Sequence, residues 1–192
     1  MRRIALLAAL VALTAVGMPG SASADDIAVA AQVLPGTRTI TTATLTPISD
    51  VLRAASVDST LAVTVTEAAV NGVTPWSVTA RLCGPNGGNT AADCGADPDR
   101  IVLSTDTSKK ITGANLSISG RSVTPVAGGG TSTATSGTED LSAARTIFTN
   151  TGQDPLLLYT GTYASTSTIT LTPPASATAG AYSGFLVVTL VS

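Results

Sequence analysis

Chemistry in this chain has to be done without histidine, because the 192-residue sequence contains none. That removes the commonest general base, the commonest metal ligand and every Ser-His or Cys-His pair. Paired carboxylates are the next candidates, as in glycoside hydrolysis. The Asp and Glu residues number 12, and five of them stand beside Pro or Ser, where turns favour acidic side chains for local hydrogen bonding. Gly128-Gly129-Gly130 neither follows a clear strand nor opens a helix, so it is no nucleotide-phosphate loop. The expectation is a protein without catalytic residues and without a cofactor. Asp93, Asp97 and Asp99 gather on one bend, where three carboxylates could offer oxygens to calcium. Their spacing is not that of an EF-hand, and a solvated loop is the favoured reading.

Cys83 and Cys94 are the two cysteines of the chain, with a Gly, Pro, Asn and Asp-rich stretch between them. Their compartment decides how they are read. The chain opens with Arg2-Arg3, continues through an apolar stretch from Ile4 to about Val16, breaks at Pro19-Gly20 and reaches Ala22-Ser23-Ala24. This is the charge, apolar and small-residue order of a cleavable signal peptide over 1-24, with the mature chain beginning at Asp25. The apolar stretch is shorter than the roughly 20 residues of a spanning helix, so no membrane span is expected after cleavage. In an exported, extracellular protein the two cysteines read as a disulfide.

The elements that must carry these groups are strands. Thr, Ser, Ala, Val and Gly dominate, while charged residues make up 11% and aromatic ones 3%. Such a composition suits pleated sheets joined by turns. The formal charge of -2 and the absence of basic runs interleaved with aromatics exclude nucleic acid as the expected partner. Leu61, Val63 and Val65 alternate with Ala62, Thr64 and Thr66, and Trp76, Val78, Ala80 and Leu82 alternate with Ser77, Thr79 and Arg81. Both are the period-2 pattern of a half-buried strand. Further strands are expected at 38-46, 101-104, 115-124 with a bulge at Gly120, 145-149, 156-160, 166-172 and 182-191. Residues 27-37 read as a lead-in, 49-55 as a short helix capped by Ser49, and 127-138 as a flexible Gly, Ser and Thr-rich loop. About nine short strands separated by turns give an all-β, single-domain, Ig-like β-sandwich over 25-192.

The last strand is unusual. Leu186, Val188 and Leu190 alternate with Phe185, Val187 and Val191, so both of its faces are apolar and it must be central or covered. Burial within the same domain is the favoured reading. The alternative is a self-assembling surface subunit that pairs this strand with another copy. Trp76 reads as a core anchor or as an exposed ring stacking on sugar, and its common face with Val78 and Leu82 favours the core. Tyr159, Tyr163 and Tyr182 carry the same ambiguity.

Two stretches together resemble the WxL domain of bacterial surface proteins. One runs from Val63-Thr64-Val65-Thr66-Glu67 through Gly72 to Trp76-Ser77-Val78. The other runs from Leu171-Thr172-Pro173-Pro174-Ala175 through Gly180-Ala181-Tyr182 to Val188-Thr189-Leu190. The family carries a Trp-x-Leu motif at each place. Here the first ends in Val78 and the second opens on Val188. The resemblance implies a cell-surface protein attached non-covalently to the wall, with peptidoglycan or another cell-wall polymer, or surface proteins, as partners. It also makes Trp76, Ser77, Val78, Tyr182, Val188, Thr189 and Leu190 the candidate contact residues.

Overall fold

The computed structural model describes residues 27–32, 38–46, 48, 55–67, 75–85, 94, 98–127, 131–151 and 161–191. The segment read as a signal peptide, residues 49–54 of the helix expected over 49–55, and the strand expected at 156–160 lie outside them. Among the described residues there are twelve strands: β1 (Ile27–Gln32), β2 (Arg38–Leu45), β3 (Val57–Glu67), β4 (Trp76–Cys83), β5 (Arg100–Leu103), β6 (Asp106–Thr112), β7 (Leu116–Ala127), β8 (Ser132–Ala134), β9 (Glu139–Asp140), β10 (Arg145–Asn150), β11 (Gly161–Leu171) and β12 (Tyr182–Val191). A single 3-10 turn, Gly113–Asn115, precedes β7.

The strands form two sheets packed as a β-sandwich. One has the order β6-β5-β12-β4-β10-β8, with β1 added beside β12, and the other runs β2-β3-β11-β7-β9. Every pairing is antiparallel except β1 with β12. The alternation read from the sequence sets which side chains meet between the sheets. Leu61, Val63 and Val65 of β3 and Ile169 and Leu171 of β11 face Val78, Ala80 and Leu82 of β4 and Leu186, Val188 and Leu190 of β12 in one apolar core. Fully burying each of these aliphatic side chains contributes about 1.5–3 kcal/mol.

The strand count exceeds the expected nine for physical reasons visible in the segments. β1 occupies what reads as a lead-in, held by backbone pairing of Ile27 to Gln32 with Gly184 to Thr189. β6 has the burial of an edge strand, exposed everywhere except Ile111, so it carries no apolar alternation. β8 lies inside the segment expected to be a flexible loop. It pairs with Phe148 to Asn150 of β10, and the following carbonyls of Thr135 and Ser136 accept hydrogen bonds from Arg121 at 3.5 and 3.4 Å.

That arginine owes its place to Gly120. The register between β7 and β11 shifts there, with Ser119 opposite Thr168 and Ser122 opposite Thr166, and Gly120 has φ +55°, a conformation glycine adopts without strain. The extra residue turns Arg121 to the inside. Its guanidinium is buried, donating also to Ile118 O at 3.4 Å and to Glu139 Oε2 at 2.5 Å. β7, the 135–136 backbone and β9 are thereby tied to one side chain.

β12 is the strand that most elements depend on. One edge pairs with β4 from Phe185 to Val191. The other is shared by β5, at Tyr182 and Ser183, and β1, from Gly184 onward. Its second apolar face is covered in part: Val187 is buried in a small cluster with Cys83 and Cys94, flanked by the half-buried Phe185, while Val191 is exposed. The apolar double face read from the sequence is therefore satisfied inside the chain except at Val191.

Candidate functional site

The two motif-like segments lie side by side. β12 runs antiparallel to β4, so Leu190 stands opposite Val78, Thr189 opposite Thr79, Val188 opposite Ala80, and Val191 opposite Ser77. Segments far apart in sequence thus form one continuous patch of one sheet. Their apolar side chains point into the core: Trp76, Val78, Val188 and Leu190 are buried, while Ser77 and Thr189 are half-buried on the outer face.

Trp76 is the anchor of one end of the sandwich. Its ring meets Phe148 edge-on at 5.6 Å between centroids and Tyr163 at 5.4 Å, the geometry that opposes ring quadrupoles favourably. Its Nε1 donates to Glu67 Oε2 at 3.1 Å, and Arg38 Nε donates to the other carboxylate oxygen at 2.7 Å. Glu67 is itself buried, so the pairing supplies the partners that a charge removed from water requires. Burial pushes the Tyr163 phenol above its ordinary value, with Glu67 adding to the effect and a hydrogen bond from Asn150 opposing it. Neither Glu67 nor Arg38 was singled out from the sequence as a buried ion pair. The available signal was parity, since Glu67 falls on the same face as Leu61, Val63 and Val65.

The stacking role once open to the aromatic residues is not offered by these rings. Trp76, Tyr163 and Tyr182 are all buried, and Tyr159 lies outside the described residues. Tyr182 instead donates its hydroxyl to Thr178 O at 3.0 Å, at the opposite end of the sandwich, beside a shallow recess of about 160 Å³ that Lys109 and Lys110 also line.

Cys83 and Cys94 form the expected disulfide, with Cα atoms 5.2 Å apart. Of the three loop carboxylates, Asp93 and Asp97 lie outside the described residues. Asp99 takes a hydrogen bond from Arg81 Nε at 3.2 Å, and no group of three potential metal ligands occurs among the described residues. No helix among them is long and apolar enough to cross a membrane.

The surface with the most distinctive chemistry is the outer face of the second sheet. β3 presents Thr60, Thr64 and Thr66, and β11 presents Thr162, Thr166, Thr168 and Thr170. β2 and β7 extend the face on either side with threonines and serines, among them Thr44 and Ser122. Adjacent hydroxyls bond to one another, Ser122 to Thr166 at 2.7 Å and Thr41 to Thr66 at 3.4 Å. Across these four strands, Asp58 is the one charged side chain that points outward among the described residues, and Thr170 donates to it at 2.6 Å. The pleat spaces such hydroxyls at about 4.8 Å between strands and about 7 Å along them. Each can both donate and accept. Residue by residue this face was visible in the sequence as the polar half of the alternation, but its width depends on strand order, which the sequence did not supply.

Comparison of the chain with protein-family models, with curated proteins and with solved structures finds no match.

Proposed function

We propose that this chain is an exported, non-catalytic cell-surface protein held non-covalently at a bacterial envelope, with peptidoglycan or another wall polymer as its partner. The observation that carries the reading is the wide, nearly charge-free hydroxyl face of β2, β3, β11 and β7. Exposed sheet faces ordinarily carry interspersed Lys, Arg, Glu and Asp, which keep proteins soluble and apart. A face that gives up those charges over four strands suits a partner that is itself rich in hydroxyl groups and extended enough to meet many weak donors and acceptors at once. The side-by-side packing of Trp76-Ser77-Val78 and Val188-Thr189-Leu190 supports a WxL-like sandwich. Because the apolar members of both motifs are buried, their part is to hold the sheet, and the contact falls to the hydroxyl face.

Co-sedimentation of the purified chain from Asp25 with cell walls and with peptidoglycan, across a range of salt, tests the proposal. Binding that survives high salt is expected, because an uncharged face gains nothing from counterion release. Thr64→Lys with Thr166→Lys, both at outward positions on neighbouring strands, should weaken it at least tenfold while the fold is retained by circular dichroism. Absence of binding to either material would overturn the proposal.

A further inference from the structure

Among the described strands, β1 makes the one parallel pairing, with β12, and it lies off the main path of its sheet. β1 belongs to the first sheet, yet the strand that follows it, β2, is the edge of the second. Without β1, each sheet keeps an unbroken path of paired strands, six in one and five in the other. What its removal would open is the edge of β12 from Gly184 to Thr189, the stretch that holds the buried Leu186, Val187 and Val188. An unpaired edge on so apolar a strand is a template for another strand of matching register.

We infer that β1 is exchangeable between copies, so that Ile27–Gln32 of one copy fills the β12 edge of another in the same parallel register. The occupant is fixed by what the structure holds there: the intramolecular strand and its replacement are chemically identical. The β12 partners, Gly184 to Thr189, would be the same. Exchange therefore changes little in contact energy and is governed by effective concentration. The connection 33–37 includes Pro35 and Gly36 and keeps a copy's own strand close. Self-pairing wins in dilute solution, and intermolecular pairing gains as the chain is concentrated or confined on a surface. Reciprocal exchange gives closed dimers, whereas one-way donation from copy to copy gives linear chains. In either case β12 is the acceptor and β1 the donor, so the strand offered to another copy is not the C-terminal strand that the alternative reading of the sequence would have paired.

The test uses the chain from Asp25, incubated from micromolar to millimolar concentration and then sized by light scattering after chromatography. Dimers or longer species are expected to rise with concentration and to decay slowly on dilution, since a paired strand must first let go. An excess of a synthetic peptide of residues 25–32 should cap the β12 edge and lower the oligomer fraction at least severalfold. A chain that stays monomeric at every concentration overturns the inference, as do oligomers that the peptide leaves unchanged. Deletion of 27–32, where the product folds, should abolish assembly through the donor and produce saturable binding of the same peptide. A folded deletion variant that ignores the peptide also overturns it. None of these readings depends on wall binding.

Discussion

Trp76 and Glu67 face each other across the sandwich core, one on each sheet, and are joined by a hydrogen bond from the indole Nε1 to Glu67 Oε2 at 3.1 Å. With Arg38 on the other carboxylate oxygen, the glutamate ties the first strand of one sheet to the aromatic anchor of the other. Removing one charge of a buried pair leaves its partner uncompensated, at a cost of about 3–5 kcal/mol, whereas replacing both with apolar residues of similar volume is far less damaging. Arg38→Ala should therefore lose about 3 kcal/mol in urea unfolding. Arg38→Met combined with Glu67→Leu should lose less than that single change, although the Trp76 hydrogen bond also disappears.

The disulfide should stabilise by two routes. Cross-linking this short loop restricts the unfolded chain, worth roughly 3 kcal/mol, and Cys94 also helps to cover Val187 on the outer face of β12. Cys83→Ser with Cys94→Ser is expected to lower the melting temperature and to raise binding of an apolar fluorescent dye. A lower melting temperature with unchanged dye binding would show that the covering role is absent.

Arg121 should be replaceable by neither alanine nor lysine. Its guanidinium reaches three backbone carbonyls and Glu139, a spread that the single ammonium of lysine cannot reproduce. Arg121→Ala is expected to cost about 2–4 kcal/mol, since it removes the closer ionic partner of Glu139, leaving Arg145 at 3.7 Å, and takes a donor from the buried Ile118 carbonyl. Proteolysis around 131–138 should accelerate in both variants, and cleavage at the wild-type rate in the lysine variant would contradict this account.

Alkaline pH should loosen the aromatic end. The Tyr163 phenol is raised above its ordinary value by burial, so the folded state keeps its proton at a pH where the unfolded chain has begun to lose it. The unfolded state then binds fewer protons than the native one, and stability falls as pH rises from the ordinary tyrosine range through the raised value. The contribution is fully present below that range. Ultraviolet titration should show one tyrosine ionising late, and Tyr163→Phe should flatten the alkaline loss of stability.

What could be read in advance was whatever showed alternation. β3 and β4 are buried on one side and polar on the other, so their period of two was plain in Leu61 to Glu67 and Trp76 to Leu82. β12 was legible for the opposite reason, because an apolar residue on both faces demands cover. β6 was not, since an edge strand with one buried residue, Ile111, leaves no pattern. β8 was hidden by its three residues and its Ser and Thr-rich setting, and it is held by pairing with β10, with Arg121 holding the backbone that follows it. The inward turn of Arg121 follows from the bulge expected at Gly120, but parity arguments fail across a bulge, because one additional residue moves every later side chain to the other face. The hydroxyl face was present in the residues and absent from any single strand, since only the order β2-β3-β11-β7 makes it broad.

The strand in the middle of the first sheet is also the last of the described strands. β4 and β1 both lie far from this neighbour in the sequence, yet it stands between them in the sheet. Without β12, β4 still pairs with β10 and β10 with β8, but β5, β6 and β1 are cut off from them. Its pairings join the two ends of the polypeptide, a high contact order that makes folding slow. Strands far apart in the sequence must therefore meet before the first sheet closes, and losing Tyr182–Val191 would part β5 and β1 from β4.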